Sequence, residues 1–185
     1  MNEGLISKRY AKALLEYATT LGEDHALYKR MKTLEHSLFT TPGLREVLRS
    51  PVVSTEDKAE LISTASGGGK FEQSGQRFVR LVLRNGRGDL MQYMVLSYIL
   101  LYREVNKISV VELVTAFPLS DKAIERIRLD VERRTHGTVE FEMRVDPSIE
   151  GGAIFRIDDL RLDASVAGQL EKVRRQFIQK NRIIV

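Results

Sequence analysis

Residues 90–117 read LMQYMVLSYILLYREVNKISVVELVTAF, and within this stretch the hydrophobic pattern changes from helical to extended. Up to Val105, apolar residues recur at steps of three and four, which predicts an amphipathic helix. From Ile108 onward, β-branched and apolar residues dominate as far as Phe117, which predicts a strand. The change divides the chain into two predicted domains, residues 1–105 and residues 106–185.

Toward the N-terminus, five more segments have the spacing of helices. In the first, the apolar residues of one face are Ile6, Tyr10, Ala13, Leu14, Tyr17 and Leu21. The second carries Leu27, Met31, Leu34 and Leu38, and the fifth carries Phe78, Leu81 and Val82. Proline and small polar residues between the segments, such as Pro42 and Ser54, favour short connections and helix starts. The first domain is therefore predicted to be a six-helix bundle.

Toward the C-terminus, the pattern mixes strands and helices. In residues 138–145, apolar Val139, Phe141, Met143 and Val145 alternate with polar or charged residues, which predicts a strand with one apolar face. A helix is predicted before it, and a final helix is predicted to start at Asp163 or Ser165. The fold class is therefore mainly α, with an N-terminal six-helix bundle followed by a small α+β C-terminal domain.

Composition excludes several kinds of chemistry. The 185 residues include no Cys and only three His, which are far apart in the sequence. No catalytic constellation, dinucleotide fingerprint or metal-ligand spacing is present, so we expect no catalytic, cofactor-binding or metal-binding residues. Residues 1–10 lack the apolar run of a signal peptide, and no apolar stretch is long enough to span a bilayer.

The net charge is +4, from 29 basic and 25 acidic residues. The surplus is spread along the chain, except for a late stretch without acids that contains Lys172, Arg174, Arg175, Lys180 and Arg182. This stretch fits a solvated helix face or a surface for an acidic partner. A basic helical adaptor that binds nucleic acid is the alternative function suggested by the charge.

The first and fifth helices carry more apolar surface than one buried stripe requires. The surplus predicts a groove that accepts an amphipathic helix from another protein. The alternative is that both helices are buried on all sides within the bundle, and the pattern alone leaves this open.

Three motifs resemble the delta subunit of bacterial F-type ATP synthase, whose mitochondrial relative is the oligomycin-sensitivity-conferring protein (OSCP). They are Arg9-Tyr10-Ala11-Lys12-Ala13-Leu14, then Arg84-Asn85-Gly86-Arg87, and finally Gly151-Gly152-Ala153-Ile154 with Asp163-Ala164-Ser165 and Leu170. They occur in the order and spacing of the family, and the resemblance covers essentially the whole chain.

The resemblance implies a non-catalytic subunit of the peripheral stalk, or stator, present in one copy. Such a subunit links the alpha/beta catalytic head of a proton-translocating ATP synthase to the b subunits and resists rotor torque. The groove for the alpha N-terminal helix would involve Tyr10, Ala13, Leu14, Tyr17, Phe78, Leu81 and Val82. The surface for the C-terminal region of the b subunits would involve Val166, Leu170, Val173 and Phe177. The implied location is the cytoplasmic face of a bacterial plasma membrane, held there only through the complex.

Overall fold

The computed structural model describes residues 3–69, 71–135, 138–157 and 160–172. The chain divides into two compact units, Met1–Val105 and Asn106–Val185. The described residues are mostly helical and include one four-stranded sheet, so the predicted fold class is confirmed. None of the described helices combines the length and the apolar character needed to cross a membrane.

The first unit is a bundle of six α-helices in its described residues. They are α1 (Glu3–Leu21), α2 (Asp24–Thr40), α3 (Pro42–Arg49), α4 (Thr55–Ala65), α5 (Gln73–Arg84) and α6 (Met91–Val105), with a 3₁₀ turn at Gly88–Leu90 before α6. The predicted stripe of α2 is confirmed, since Leu27, Met31, Leu34 and Leu38 are fully buried. Three tyrosines, Tyr28, Tyr98 and Tyr102, stack between α2 and α6.

The core face of α1 is mostly different from the apolar face read from the sequence. Its buried residues are Ser7, Ala11, Leu14, Leu15 and Ala18. Of the predicted stripe, only Leu14 belongs to this set, while Tyr10 and Tyr17 are half-buried and Ala13 is exposed. Small residues in the buried set allow α1 to lie close to its neighbours, and the larger predicted residues are left on an outer face.

The second unit contains β1 (Ile108–Thr115), α7 (Asp121–Thr135), β2 (Thr138–Val145), a 3₁₀ turn at Pro147–Ile149, β3 (Ala153–Ile157), β4 (Leu160–Asp163) and a final helix, α8, described over residues 166–172. The sheet order is β2-β1-β3-β4. Strands β1 and β2 are parallel and are joined through α7, and the other neighbours are antiparallel. Strand β1 ends at Thr115, two residues before the predicted end, and Phe117 is 71% exposed.

One face of the sheet carries the core of this unit. Val111 and Val139 are buried there against Val131 of α7, with Phe141 and Phe155 packed around them. The register places Met143, Leu160 and Leu162 on the same face, since they pair with Leu113, Ile157 and Phe155, yet all three are exposed. The other face is mixed: it carries Val110 and Val114 as well as Glu112, which forms an ion pair with Arg156 at 2.6 Å.

Candidate partner-binding groove

An apolar groove lies between α1 and α5 on the surface of the first unit. Its lining residues are Arg9, Tyr10, Ala13, Leu14, Tyr17, Ser74, Arg77, Phe78 and Leu81, and its volume is about 470 Å³. Leu14 and Phe78 form the floor and are almost fully buried, whereas Leu81 is 50% exposed at the side. The groove is therefore a long apolar depression with charged groups at its edge.

Six of the seven residues predicted for the alpha-facing surface lie together in this groove. The exception is Val82, which is fully buried in the core and does not line the groove. The helical period explains the difference, because residues adjacent in sequence point about 100° apart and Leu81 already faces the groove. Sequence reasoning missed Arg9, Ser74 and Arg77, whose polar side chains give no apolar signal.

At one end of the groove, Tyr10 is held by the corner that follows α5. The Tyr10 hydroxyl accepts hydrogen bonds from Asn85 Nδ2 and from Arg87, both at 2.8 Å. The Arg87 guanidinium also lies 5.2 Å from the centroid of the Tyr10 ring. Two of the motifs noted in the sequence are thus in direct contact.

The corner has this shape because Gly86 adopts a left-handed conformation with φ of 65°. The backbone N–H of Arg87 bonds to the carbonyl of Val82, and that of Gly86 bonds to the carbonyl of Leu83. This pattern is the Schellman end of a helix, which favours glycine at its left-handed position. The turn brings both Asn85 and Arg87 to the tyrosine.

At the other end of the groove, Tyr17 is held by Arg77 of α5. The Arg77 side chain donates a hydrogen bond to the Tyr17 hydroxyl, and its guanidinium lies 5.5 Å from the ring centroid. Each end of the groove is therefore a tyrosine from α1 paired with an arginine from α5 or from the corner after it. These pairs tie the two walls together across an otherwise apolar depression.

The wall formed by α5 is also fixed from its N-terminus. The Glu23 carboxylate, in the turn between α1 and α2, accepts hydrogen bonds from the backbone N–H groups of Ser74 at 2.8 Å and Gln73 at 3.2 Å. These N–H groups have no partner within the helix, and the helix dipole favours a negative charge there. Hydrogen bonding from Ser74, with a smaller contribution from Gln73, holds the pKa of Glu23 below its usual value.

Replacing Glu23 with glutamine is expected to destabilise the bundle by about 1 kcal/mol at neutral pH, the typical value of a helix cap. The pKa of Glu23 is lower in the folded protein than in the unfolded one, so the Glu23 carboxylate adds to the free energy of unfolding. This stabilisation is complete above the unfolded pKa of about 4.3 and is lost as the pH falls through the folded pKa. Urea unfolding at pH 7 and pH 3 would measure both effects.

The matched control for this change is Glu16→Gln on α1, because the Glu16 carboxylate is exposed and pairs with Lys12 at 3.9 Å, without bonding to the N-terminus of a described helix. Its free energy of unfolding should change by less than about 0.5 kcal/mol. An equal loss for the two variants at pH 7, or a Glu23→Gln loss that persists unchanged at pH 3, would contradict the capping role.

The second predicted surface lies at α8 in the other unit. Val166 and Leu170 are both exposed, and Val173 and Phe177 lie outside the described residues. Helix α8 begins at Ser165, whose hydroxyl accepts a hydrogen bond from the backbone N–H of Gly168 at 3.0 Å. Asp163 in turn accepts hydrogen bonds from the Ser165 hydroxyl and N–H, which hold the pKa of Asp163 below its usual range.

No group of three or more His, Cys, Asp or Glu side chains in the described ranges is arranged to hold a metal ion. What the candidate sites offer is apolar surface and, in the groove, the side chains of Arg9 and Arg77. These features suit the binding of a protein segment.

Nearly the whole chain is similar to known proteins of a single family. Residues 6–177 match the family model described as ATP synthase delta (OSCP) subunit. ATP synthase subunit delta of Phocaeicola vulgatus is 48% identical over 98% of each chain, and that of Bacteroides thetaiotaomicron is 48% identical over 100% of each chain. A chain in the mitochondrial ATP synthase hexamer of Toxoplasma gondii has the same fold, with a TM-score of 0.67 at 19% identity, covering 96% of this chain and 98% of that one.

Proposed function

This chain belongs to the ATP synthase delta (OSCP) subunit family, the peripheral-stalk subunit of F-type ATP synthases, and we propose that it joins the alpha/beta head of that enzyme to the b subunits. The proposed role is mechanical. The subunit would hold the head still against rotor torque through two binding surfaces and would carry out no reaction itself. Nothing found in the comparisons supports the nucleic-acid alternative.

The observation that supports the alpha-facing surface is the groove between α1 and α5. An amphipathic helix binds a groove of this kind by inserting a few apolar anchors at helical spacing. We propose that the alpha N-terminal helix is the occupant and that it contacts Tyr10, Ala13, Leu14, Tyr17, Phe78 and Leu81. Val82 is left out because it is buried behind them.

For the b subunits, the supporting observation is exposed apolar surface in the second unit. Val166 and Leu170 of α8 are exposed, as are Leu160 and Leu162 on the apolar face of the sheet. Leu160 and Leu162 lie next to each other on one face of β4, and exposed apolar surface of this kind is typical of a site that another protein covers. We propose that the C-terminal region of b binds there, and that the subunit lies at the cytoplasmic face of the membrane through these contacts.

Co-purification from native membranes tests the proposed function. An affinity-tagged full chain, expressed in its own host and recovered in mild detergent, should bring down the alpha, beta and b subunits in fixed proportion. Removal of the N-terminal segment of alpha should release the head while b is retained. Recovery of the chain without any ATP synthase subunit would overturn the proposal, and recovery with nucleic acid that depends steeply on salt would favour the alternative.

A further inference from the structure

The tyrosine at each end of the groove between α1 and α5 binds an arginine that has no acidic partner among the described residues: Arg77 lines the groove, and Arg87 lies beside it against Tyr10. Arg87 donates to the Tyr10 hydroxyl, and Arg77 donates to the Tyr17 hydroxyl. A guanidinium has five N–H groups, and each of these hydrogen bonds uses one of them. Over the ranges that the structure describes, neither Arg77 nor Arg87 forms an ion pair with a carboxylate.

The walls of the groove have a strong excess of positive charge. Helices α1 and α5 together carry six basic residues and two acidic ones, and α5 itself carries Arg77, Arg80 and Arg84 without any acid. Of the two acids, Glu16 already pairs with Lys12. A segment that buries apolar side chains in this groove would therefore bring its flanking residues into a positive field.

The spacing of the two ends is set by α1. Tyr10 and Tyr17 are seven residues apart on one helix, which corresponds to two turns and about 10.5 Å along its axis. In a second helix lying along α1, residues i and i+7 have the same separation. Two carboxylates at this spacing would reach Arg87 and Arg77 together, with the apolar stripe between them in the groove.

We propose that the groove selects an amphipathic helix whose apolar stripe is flanked by two carboxylates about seven residues apart, which bind Arg87 and Arg77. The proposal rests on the proposed function, in which a helix of a partner subunit occupies this groove. The requirement for carboxylates excludes two other occupants, because both of them are positively charged. The C-terminal stretch of this chain from Lys172 to Arg182 contains five basic residues and no acid, and a second copy would present the same positive walls.

Three synthetic helical peptides of equal length and identical apolar stripe would test the selection. They carry Glu, Gln or Lys at the two flanking positions i and i+7, and fluorescence anisotropy measures their binding to the full chain at low salt. A well-placed exposed ion pair is worth up to about fivefold in affinity, so the Glu peptide should bind about 25-fold more tightly than the Gln peptide. The Lys peptide should bind most weakly, and the differences should shrink at high salt.

A fourth peptide tests the spacing. It carries the same two Glu residues at i and i+4, which lie about one turn apart. Only one of them can reach an arginine when the apolar stripe is in register, so this peptide should bind about fivefold less tightly than the i, i+7 peptide. Equal affinity for the two spacings would overturn the assignment of the two arginines as paired sites.

Variants of the protein test whether the preference for carboxylates depends on these two arginines. Arg77→Gln and Arg87→Gln should each weaken the Glu peptide about fivefold and leave the Gln peptide unchanged, which also shows that the groove remains folded. Arg84→Gln is the matched control, because Arg84 is an exposed arginine of α5 that neither lines the groove nor hydrogen-bonds to Tyr10 or Tyr17. If Arg87→Gln disturbs the corner after α5, the exposed Arg77 carries the test alone.

The outcomes separate this inference from the proposed function. If the peptides bind equally well and independently of salt, while the alpha N-terminal peptide still binds the wild-type chain, carboxylate selection is wrong and the proposed function stands. If the alpha N-terminal peptide does not bind at all, the proposed use of the groove fails with it. Tighter binding of the Lys peptide would overturn the inference outright.

Discussion

Replacing Ala13 with aspartate is expected to weaken binding of the alpha N-terminal helix by more than 100-fold, with little effect on the stability of the free protein. Ala13 is exposed in the groove, so the new carboxylate is solvated when the groove is empty. A helix laid in the groove would cover that charge on an apolar surface. Burial of an unpaired charge costs about 3 kcal/mol or more, which corresponds to the stated loss of affinity.

Titration calorimetry with the alpha N-terminal peptide measures this effect, and urea unfolding measures the stability. Thr19→Asp is the matched control, since it places the same charge on an exposed position of α1 outside the groove. Unchanged affinity for the Ala13 variant would show that the helix binds elsewhere.

The order of helices and strands could be predicted because the hydrophobic period changes abruptly between Val105 and Ile108. The apolar stripe predicted for α2 is also the buried one. Leu27 and Leu34, like the other members of that stripe, face only the core, so one apolar face corresponds to one buried face. Where a helix has two apolar faces, the period cannot say which one is internal.

Helix α1 shows this limit. Tyr10, Ala13 and Tyr17 have helical spacing, but they form the groove, and the core face instead uses Ser7 and Ala11. Small residues carry little hydrophobic signal although they permit close helix packing. The surplus of apolar surface could therefore predict that a groove exists, while the choice of its face came from the family resemblance, which placed Tyr10, Ala13 and Tyr17 there, and not from the period.

The charged parts of the site were missed for a different reason. An arginine on a helix is usually solvated, and nothing in the sequence around Arg77 distinguishes it from Arg80 or Arg84. Its role arises from Tyr17, sixty residues earlier in the chain. A contact of this sequence separation leaves no local pattern, whereas the Asn-Gly-Arg corner that holds Tyr10 is a short motif visible in the sequence.

Replacing Gly152 with alanine is expected to destabilise the second unit by about 3 kcal/mol or more. Gly152 has φ of 73°, and a Cβ there would lie 2.3 Å from the carbonyl oxygen of Ala164 and 3.2 Å from Ser165 Cα. These are backbone atoms, which cannot rotate away as a side chain can. The left-handed conformation costs an alanine about 1–2 kcal/mol, and relief of the clash adds the rest.

The clash with Ala164 in the Gly152→Ala variant would disturb the hydrogen bonds that join the segment before β3 and β3 itself to the start of α8. The Ala164 N–H bonds to the carbonyl of Ala153, and the Val166 N–H bonds to the carbonyl of Gly151, both at 3.0 Å. Moving Ala164 away from Gly152 breaks this pairing. Hydrogen exchange monitored by mass spectrometry should therefore show lost protection in residues 153–172, while residues 3–105 keep theirs.

Substitutions at two other glycines distinguish the cost of the left-handed backbone from the cost of the steric clash. Gly22 has φ of 69°, and no atom lies within 4 Å of the position that an alanine methyl group would take, so Gly22→Ala should cost about 1 kcal/mol for strain alone. Gly43 lies in α3 with neither feature, so Gly43→Ala should be neutral or slightly stabilising. If Gly152→Ala costs no more than Gly22→Ala, the close approach to Ala164 is not important for stability.

Because the groove is formed entirely by α1 and α5, Gly152→Ala should leave binding of the alpha peptide unchanged and weaken binding of b. Ala13→Asp should have the opposite effect on the two partners. In membranes, either change alone should lower proton-driven ATP synthesis, since a stator joined at one end cannot resist rotor torque. A chain in which Gly152→Ala also abolished alpha binding would show that the two surfaces depend on each other, contrary to the proposed division between the units.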